Sequence, residues 1–387
     1  MGQMRIVYVL TSLGMGGAER QALALAERMA RRGHRVALLV LRPASVKDWT
    51  GWDSSAGDWS AGDWSTGLDR IHLNMRRTAC SLMAGLAHGR RFVEDFHPDL
   101  LHSYSFHANI FARLLKPLVP RVAVVSNIHN VYEGGALRMI AYRLTDGLSR
   151  HTVAVSEAAA ERFTRIGAVP RWKCPVISNG IDIEEFVPSD DRRAETRAQM
   201  GLSDESPEFV WIAVGRIAPA KDYPNLLRAF EIVARTDGNS RLWIAGDGPE
   251  DATADLKSRC DEMGIPEAVR WVGPRRDMPA LLDAADGFVS ASAWEGMPLA
   301  IGEAMAMEKP VVATDVGGVR ELVGGAGKLV QAHAPDALAE TMVDVMRTSR
   351  QELYALGRAA RERVAQSFNI ESKADEWEKL YRRILSS

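Results

Sequence analysis

The sequence predicts an α/β protein made of two doubly wound, Rossmann-like domains. Three observations lead there. At 387 residues the chain is too long for one ordinary core and suits two domains. Short β-rich runs alternate with helix-like stretches from end to end, which is the pattern of βαβ units. Most of those runs are continuously apolar, as in strands buried on both faces of a parallel sheet.

In chain order, the first half shows strand runs at 5–10, 35–41, 100–102, 122–126, 152–155 and 175–178. The second half shows them at 209–214, 241–245, 269–272, 287–291, 310–313 and 328–330. Helical periodicity marks 18–32, 223–234, 336–346, 351–367 and a last helix at 370–384 carrying Trp377, Leu380 and Tyr381. Asn179-Gly180 marks a turn and the expected hinge. One segment fits none of this: 47–65 holds a tandem Ala-Gly-Asp-Trp-Ser repeat and four of the ten tryptophans. Its Gly, Ser and Asp content reads as a loop inserted after the second strand. It is either a tolerated surface expansion or a contact for an acceptor or a membrane interface.

The net charge of −2 removes the basic surplus that nucleic-acid binding would need, so no nucleic-acid partner is expected. Cys80, Cys174 and Cys260 are far apart and form neither a disulfide framework nor a metal-ligand spacing. No apolar run is long enough to span a bilayer, and the N-terminus enters a strand directly, without a signal peptide. The expected home is the cytoplasm. The stretch 76–93 mixes arginines with apolar residues at helical spacing. It reads as an amphipathic helix packed on a sheet, with peripheral contact to an anionic leaflet as the alternative.

The chemistry concentrates in a few loops. Residues 292–305 read Ser-Ala-Trp-Glu-Gly-Met-Pro-Leu-Ala-Ile-Gly-Glu-Ala-Met, with Glu295 and Glu303 eight positions apart. A strand feeds this loop and a helix leaves it, so backbone N–H groups and the positive helix end face a ligand. That suits a phosphate or sugar diphosphate. Gly296 permits close backbone approach, and Pro298 fits the first helical turn. Glu303, about 12 Å along a helix of that length, would accept from ribose hydroxyls. The first βα turn, Thr11 to Arg20, contains Gly14, Gly16 and Gly17. Its glycines miss the third dinucleotide-fingerprint position and Arg42-Pro43 follow the second strand where an acid would stand, which argues against a nicotinamide enzyme. The run Gly215-Arg216-Ile-Ala-Pro-Ala-Lys221 offers a bidentate phosphate donor and a compact cation; ion pairing of these cations with nearby acids such as Asp222 is the structural alternative. His102, His107 and His129 follow strand runs, where ligands of such sheets bind.

Together, Gly16-Gly17-Ala-Glu-Arg, Gly215-Arg216-x4-Lys221, Gly246-Asp-Gly248-Pro-Glu, Gly273-Pro-Arg275 and the E-x7-E pair resemble, in order, the retaining glycosyltransferases of family 4. The resemblance implies the GT-B fold: two Rossmann-like domains facing across a cleft, with the C-terminal helix crossing back to the first. Residues 1–180, with 366–387 returning, would be the acceptor domain, and 181–365 the nucleotide-sugar donor domain. It also implies that Arg216 and Lys221 neutralise the leaving diphosphate while Glu295 orients the donor sugar. Gly16, Gly17, Gly296, Met297, Pro298, Leu299, Glu303 and Arg275 would hold the donor. Asp315-Val-Gly317-Gly318 would close its pocket or serve as a plain βα turn. Several relatives carry a site histidine where Tyr104 stands; His107 is preferred to His102 for that role, with Tyr104 and His129 on the acceptor side.

The expected function is metal-independent transfer from a UDP- or GDP-sugar to a glycan or lipid-linked acceptor, with no cofactor, in polysaccharide, lipopolysaccharide or glycolipid synthesis. The inner face of the plasma membrane is a second expected location. A GT-B nucleotide-sugar epimerase and a non-catalytic binding module are the alternative readings.

Overall fold

A computed structural model describes residues 2–14, 16–43, 69–76, 78–203 and 206–386. The tryptophan-rich stretch 47–65 lies outside the described residues, as do Met15 and Arg77. The chain divides into two compact units, Met1–Gly180 with Ile370–Ser387, and Ile181–Asn369.

In the first unit, β1 (Arg5–Leu10), α1 (Gly17–Arg31), β2 (Arg35–Val40), β3 (Asp69–His72), α2 (Ala79–Phe96), β4 (Leu100–Tyr104) and α3 (Ser105–Leu115) come first. Then follow β5 (Ala123–Ile128), α4 (Ala136–Thr145), β6 (His151–Ala154) and α5 (Glu157–Arg165). All pairings are parallel, in the order β3-β2-β1-β4-β5-β6. Alternation along β1 feeds a core on each face of the sheet. Ile6, Tyr8 and Leu10 pack with Leu23, Leu25 and Met29 of α1. Val7 and Val9 pack with Leu86 and Val93 of α2 and Phe111 of α3. The last helix of the chain, α14 (Ile370–Ser386), belongs to this unit. It buries Trp377 and Tyr381 in the α1 core, and Arg28 of α1 and Arg32, the residue that caps its C-terminus, pair with Glu371 and Asp375 at 3.2 and 2.7 Å.

Two strand readings change. Asp69–His72 is a strand that the apolar pattern does not reveal, because an edge strand pairs on one side only and needs no continuous apolar run. The run at 175–178 is only an isolated bridge from Val176 to Ala154. Pro175 lends its carbonyl to Ala154 but has no N–H to continue the ladder.

The second unit holds α6 (Asp190–Gln199), β7 (Phe209–Val214), α7 (Tyr223–Thr236), β8 (Ser240–Ala245), α8 (Glu250–Glu262), β9 (Val269–Gly273) and α9 (Met278–Ala284). It continues with β10 (Gly287–Ser290), α10 (Leu299–Ala306), β11 (Val311–Thr314), α11 (Val319–Val323), β12 (Lys328–Val330), α12 (Pro335–Arg347) and α13 (Arg350–Ser367). Its strands are also all parallel, in the order β12-β11-β10-β7-β8-β9. Trp211, Phe230, Leu242 and Met342 anchor its core. Asp222, in the left-handed region at φ 44°, caps α7. Ser349 and Glu352 form a reciprocal capping box on α13. That helix ends at Ser367, so the return to the first unit begins at Ile370 and not at 366.

Candidate active site

Each sheet reverses its strand order once. Loops leaving the two strands at such a point diverge and open a crevice at the carboxyl edge, where ligands of these sheets bind. In the second unit the reversal lies between β7 and β10. The loop after β7 carries Arg216 and Lys221; the loop after β10 carries Glu295 and Gly296. The fold joins them: Lys221 Nζ donates to Glu295 Oε1 at 2.5 Å, and Ala293 N–H donates to Ala220 O at 2.8 Å. The acid that Lys221 meets is therefore Glu295. Its neighbour Asp222 instead meets the His333 ring at 2.7 Å.

Glu295 is only 7% exposed. Ser292 Oγ donates to the same Oε1 at 2.8 Å, and Thr314 Oγ1 fixes the Ser292 carbonyl at 2.6 Å. The carboxylate is thus held in one orientation by groups that are themselves fixed. Arg216 is the opposite case. It is exposed and has no hydrogen bond or ion pair among the described residues, so all its guanidinium donors are available to an anion.

The loops around this pair are interlocked. Tyr223 OH donates to Gly215 O at 2.8 Å, and burial pushes its phenol up, so it remains a neutral donor. Ile217 N–H reaches Asp247 O at 2.8 Å and Gly246 N–H reaches Gly273 O at 2.9 Å. A methyl group on Gly246 would run into the Gly215 carbonyl. After β11, Gly318 N–H holds the Gly296 carbonyl at 2.9 Å. Gly296, Met297, Pro298 and Leu299 are buried. Pro298 is the cap residue of α10 and not part of its first turn. The first α10 amides, Leu299, Ala300 and Ile301, donate to no partner among the described residues, which leaves the positive end of the helix open to an anion. Glu303 lies within α10 and is 3% exposed. Arg275 follows the edge strand β9 and pairs with Asp277 at 2.8 and 2.5 Å. That guanidinium holds the Asp277 carboxyl below its ordinary range.

In the first unit the reversal lies between β1 and β4. Gly16 caps α1, and a methyl there would meet the Glu19 carboxylate, which Ser12 Oγ contacts at 3.4 Å. Glu19 therefore folds back over the helix start, where negative charge is favoured. Gly17 opens α1. After β4, Ser105 takes a left-handed φ of 68°, an uncommon conformation for a non-glycine residue.

The histidines separate by environment. His107 is exposed on the first turn of α3, its ring edge-on to Phe106 at 5.4 Å. His102 is fully buried: its Nδ1 meets Tyr381 OH at 2.6 Å, and its ring packs on Trp377 at 4.2 Å. Burial holds it well below the usual histidine range, a neutral part of the core. His129 stacks on Tyr104 at 5.0 Å, and burial lowers its pKa to about 3. His129 Nε2, Tyr104 OH, Asn127 Oδ1 and Thr11 Oγ1 are all buried without a hydrogen-bond partner. They belong to residues at or just beyond the carboxyl ends of β1, β4 and β5. Orphaned polar atoms in such a place are what a hydroxylated ligand would satisfy.

Ser292, Asn127 and Glu133 are site residues that the motifs do not reveal. Ser292 carries a signal, a hydroxyl three positions before a loop carboxylate. Asn127 falls one position past the strand run read at 122–126 and lies in β5 only in the structure, and Glu133 is placed only by the fold. Its carboxylate accepts from His129 N–H at 3.0 Å and Tyr142 OH at 2.6 Å, and burial raises its pKa to about 7. Among the described residues no group of three or more His, Cys, Asp or Glu side chains could hold a metal ion.

Comparison with known proteins agrees with this layout. The family model described as "Glycosyltransferase Family 4" matches residues 15–185, and that described as "Glycosyl transferases group 1" matches 208–348. A D-inositol 3-phosphate glycosyltransferase of Mycobacterium marinum is 32% identical, over 82% of this chain and 70% of its own. An Escherichia coli UDP-Gal:alpha-D-GlcNAc-diphosphoundecaprenol alpha-1,3-galactosyltransferase is 28% identical, over 73% of this chain and 75% of its own. Anabaena Alr3699/HepE, solved with UDP and glucose, superposes with a TM-score of 0.83 at 20% identity, over 98% of this chain and all (100%) of its own.

Proposed function

This chain belongs to the group 1, family 4 glycosyltransferases and has their GT-B fold. From that premise we propose that it moves a sugar, with retention, from a UDP- or GDP-sugar to a hydroxyl of a glycan or lipid-linked acceptor. The Escherichia coli relative, whose name gives alpha-D-GlcNAc-diphosphoundecaprenol as its acceptor, supports the lipid-linked class. The observation that carries the donor site is the junction at the β7/β10 reversal. There an unpartnered Arg216, the Lys221–Glu295 pair and the open N-terminus of α10 share one sheet edge.

In this reading the difficult charge is the one that develops on the departing diphosphate. Arg216, Lys221 and the α10 amides stabilise it as the sugar C1–O bond breaks. Glu295, fixed by Ser292, orients the donor sugar. Glu303 contributes to the nucleoside pocket, and Arg275 stands on the loop assigned to the base. The acceptor oxygen attacks C1 on the same face that the diphosphate leaves, and its proton passes to a diphosphate oxygen. Lys221 then exchanges part of its contact with Glu295 for phosphate. The orphaned Tyr104, Asn127 and His129 atoms supply an acceptor pocket in the first unit, with His107 on the neighbouring helix start. We read the transfer as metal-independent, because the chain itself supplies two cations and a helix N-terminus for the leaving group. Synthesis of a polysaccharide, lipopolysaccharide or glycolipid is the process that suits this chemistry.

The test is product analysis with UDP- and GDP-sugars, with and without a polyprenyl-diphosphate sugar acceptor. The reading expects nucleoside diphosphate release that the acceptor accelerates, with the anomeric configuration retained. Conversion of the nucleotide sugar alone would make the protein an epimerase, and no turnover with any pair would leave a binding module.

A further inference from the structure

We propose that α4 and the turn after α5 form a surface that docks on an anionic lipid leaflet. The inference rests on the lipid-linked acceptor reading and assigns the face that would meet the membrane. Helix α4 buries Tyr142 and packs Met139 on a small core with Phe163. Its other face is uncovered: Leu137 is 83% exposed, Ile140 51% and Leu144 79%. Those three fall three and four positions apart, so they form one stripe. Apolar side chains of this size, contiguous on a helix, mark an interaction surface.

The stripe does not end with the helix. The Arg143 guanidinium lies 4.0 Å from where a Cβ at Gly167 would stand, which ties the end of α4 to the turn after α5. That turn exposes Ile166, and Trp172 a few residues on is 78% exposed. Arg143 and Arg165 are exposed and without an ion-pair partner among the described residues. Glu161 is the exposed carboxylate in the same neighbourhood, whereas Glu157 is engaged by Arg171 at 2.9 Å.

Exposed leucine and isoleucine with two unpaired arginines at the end of α4 and the end of α5, and an exposed tryptophan six positions past Ile166, complement anionic headgroups over acyl chains. Helix α2, the other candidate, turns Leu86, Val93 and Phe96 into the sheet core and exposes just one large apolar side chain, Met83.

Co-sedimentation with vesicles tests this, comparing pure phosphatidylcholine with an equal mixture of phosphatidylcholine and phosphatidylglycerol. The wild type should prefer the mixed vesicles and lose them in high salt. Leu137→Gln, Ile140→Gln and Leu144→Gln together should weaken that binding on the order of 100-fold. Arg143→Gln with Arg165→Gln should weaken it about 25-fold, and Met83→Gln should leave it unchanged. All variants should keep the thermal shift given by UDP or GDP, which shows that they fold. Equal binding to both vesicle types, or wild-type binding by the triple variant, overturns the proposal. So does a wild-type dimer that the triple variant abolishes while vesicle binding stays the same. A wild type that binds neither vesicle type yet keeps its nucleotide response would sink this inference alone; a wild type that binds the mixed vesicles without any nucleotide response would sink the transferase reading instead.

Discussion

Lys221 and Glu295 are the closest link between the two donor-side loops, so removing them singly and together reads the site directly. Lys221 Nζ lies 2.5 Å from Glu295 Oε1, with side chains 23% and 10% exposed. This is more buried than the surface pairs that contribute about 0.2–1 kcal/mol, and less than the fully buried pairs whose disruption costs about 3–5 kcal/mol. Lys221→Met leaves Glu295 with the Ser292 hydroxyl as its remaining side-chain partner. A loss of about 1–2 kcal/mol is expected, and Glu295→Gln should cost about the same. The double variant should lose clearly less than the sum, by about 1 kcal/mol of coupling. Urea unfolding followed by circular dichroism and by tryptophan fluorescence supplies the values. Strict additivity would mean that the pair is not formed in solution and that the loops are held by backbone contacts alone.

Other perturbations separate function from stability. Arg216→Ala removes an exposed side chain without partners and should change stability by less than about 0.5 kcal/mol. The same change should lower turnover on the order of 10²–10³-fold, measured as nucleoside diphosphate release; wild-type turnover would remove Arg216 from the site. Gly246→Ala drives a methyl group into the Gly215 carbonyl and should destabilise by about 1–3 kcal/mol, and a neutral result would show that the loop yields. Glu133 and His129 give opposite pH trends. The folded state holds the Glu133 proton up to about pH 7, above the ordinary 4.5, so its contribution falls as pH rises from about 4.5 to 7. His129 stays neutral down to about pH 3, below its ordinary 6.5, so its contribution falls as pH drops from about 6.5 to 3. Wild-type stability minus that of Glu133→Gln should therefore decline between about pH 4.5 and 7 and then level off. A flat difference would show that Glu133 ionises freely.

The parallel architecture is legible because buried central strands such as 5–10 and 209–214 have to be apolar throughout. An edge strand has no such requirement, which is why Asp69–His72 is invisible to hydropathy. Pro175 betrays itself only through the hydrogen bond that it cannot donate. At the site, spacing reveals the phosphate-type loops because the chemistry lies within one turn of chain. The partner of Lys221 is not legible, since it lies 74 positions away and is chosen by the adjacency of β7 and β10. The apolar residues of α4 were likewise indistinguishable from core residues until the fold left them uncovered, while the similar mixture in α2 is largely packed inside.

The proposed transfer requires the β7/β10 edge to receive a nucleoside diphosphate. Thermal unfolding with UDP, GDP, ADP and NAD in turn tests it most directly. A ligand near 100 times its Kd should stabilise the protein by roughly 2.7 kcal/mol. A selective shift with one nucleoside diphosphate is expected, lost in Glu303→Ala and weakened in Arg216→Ala. A shift with NAD alone, or with none of the four, would contradict it.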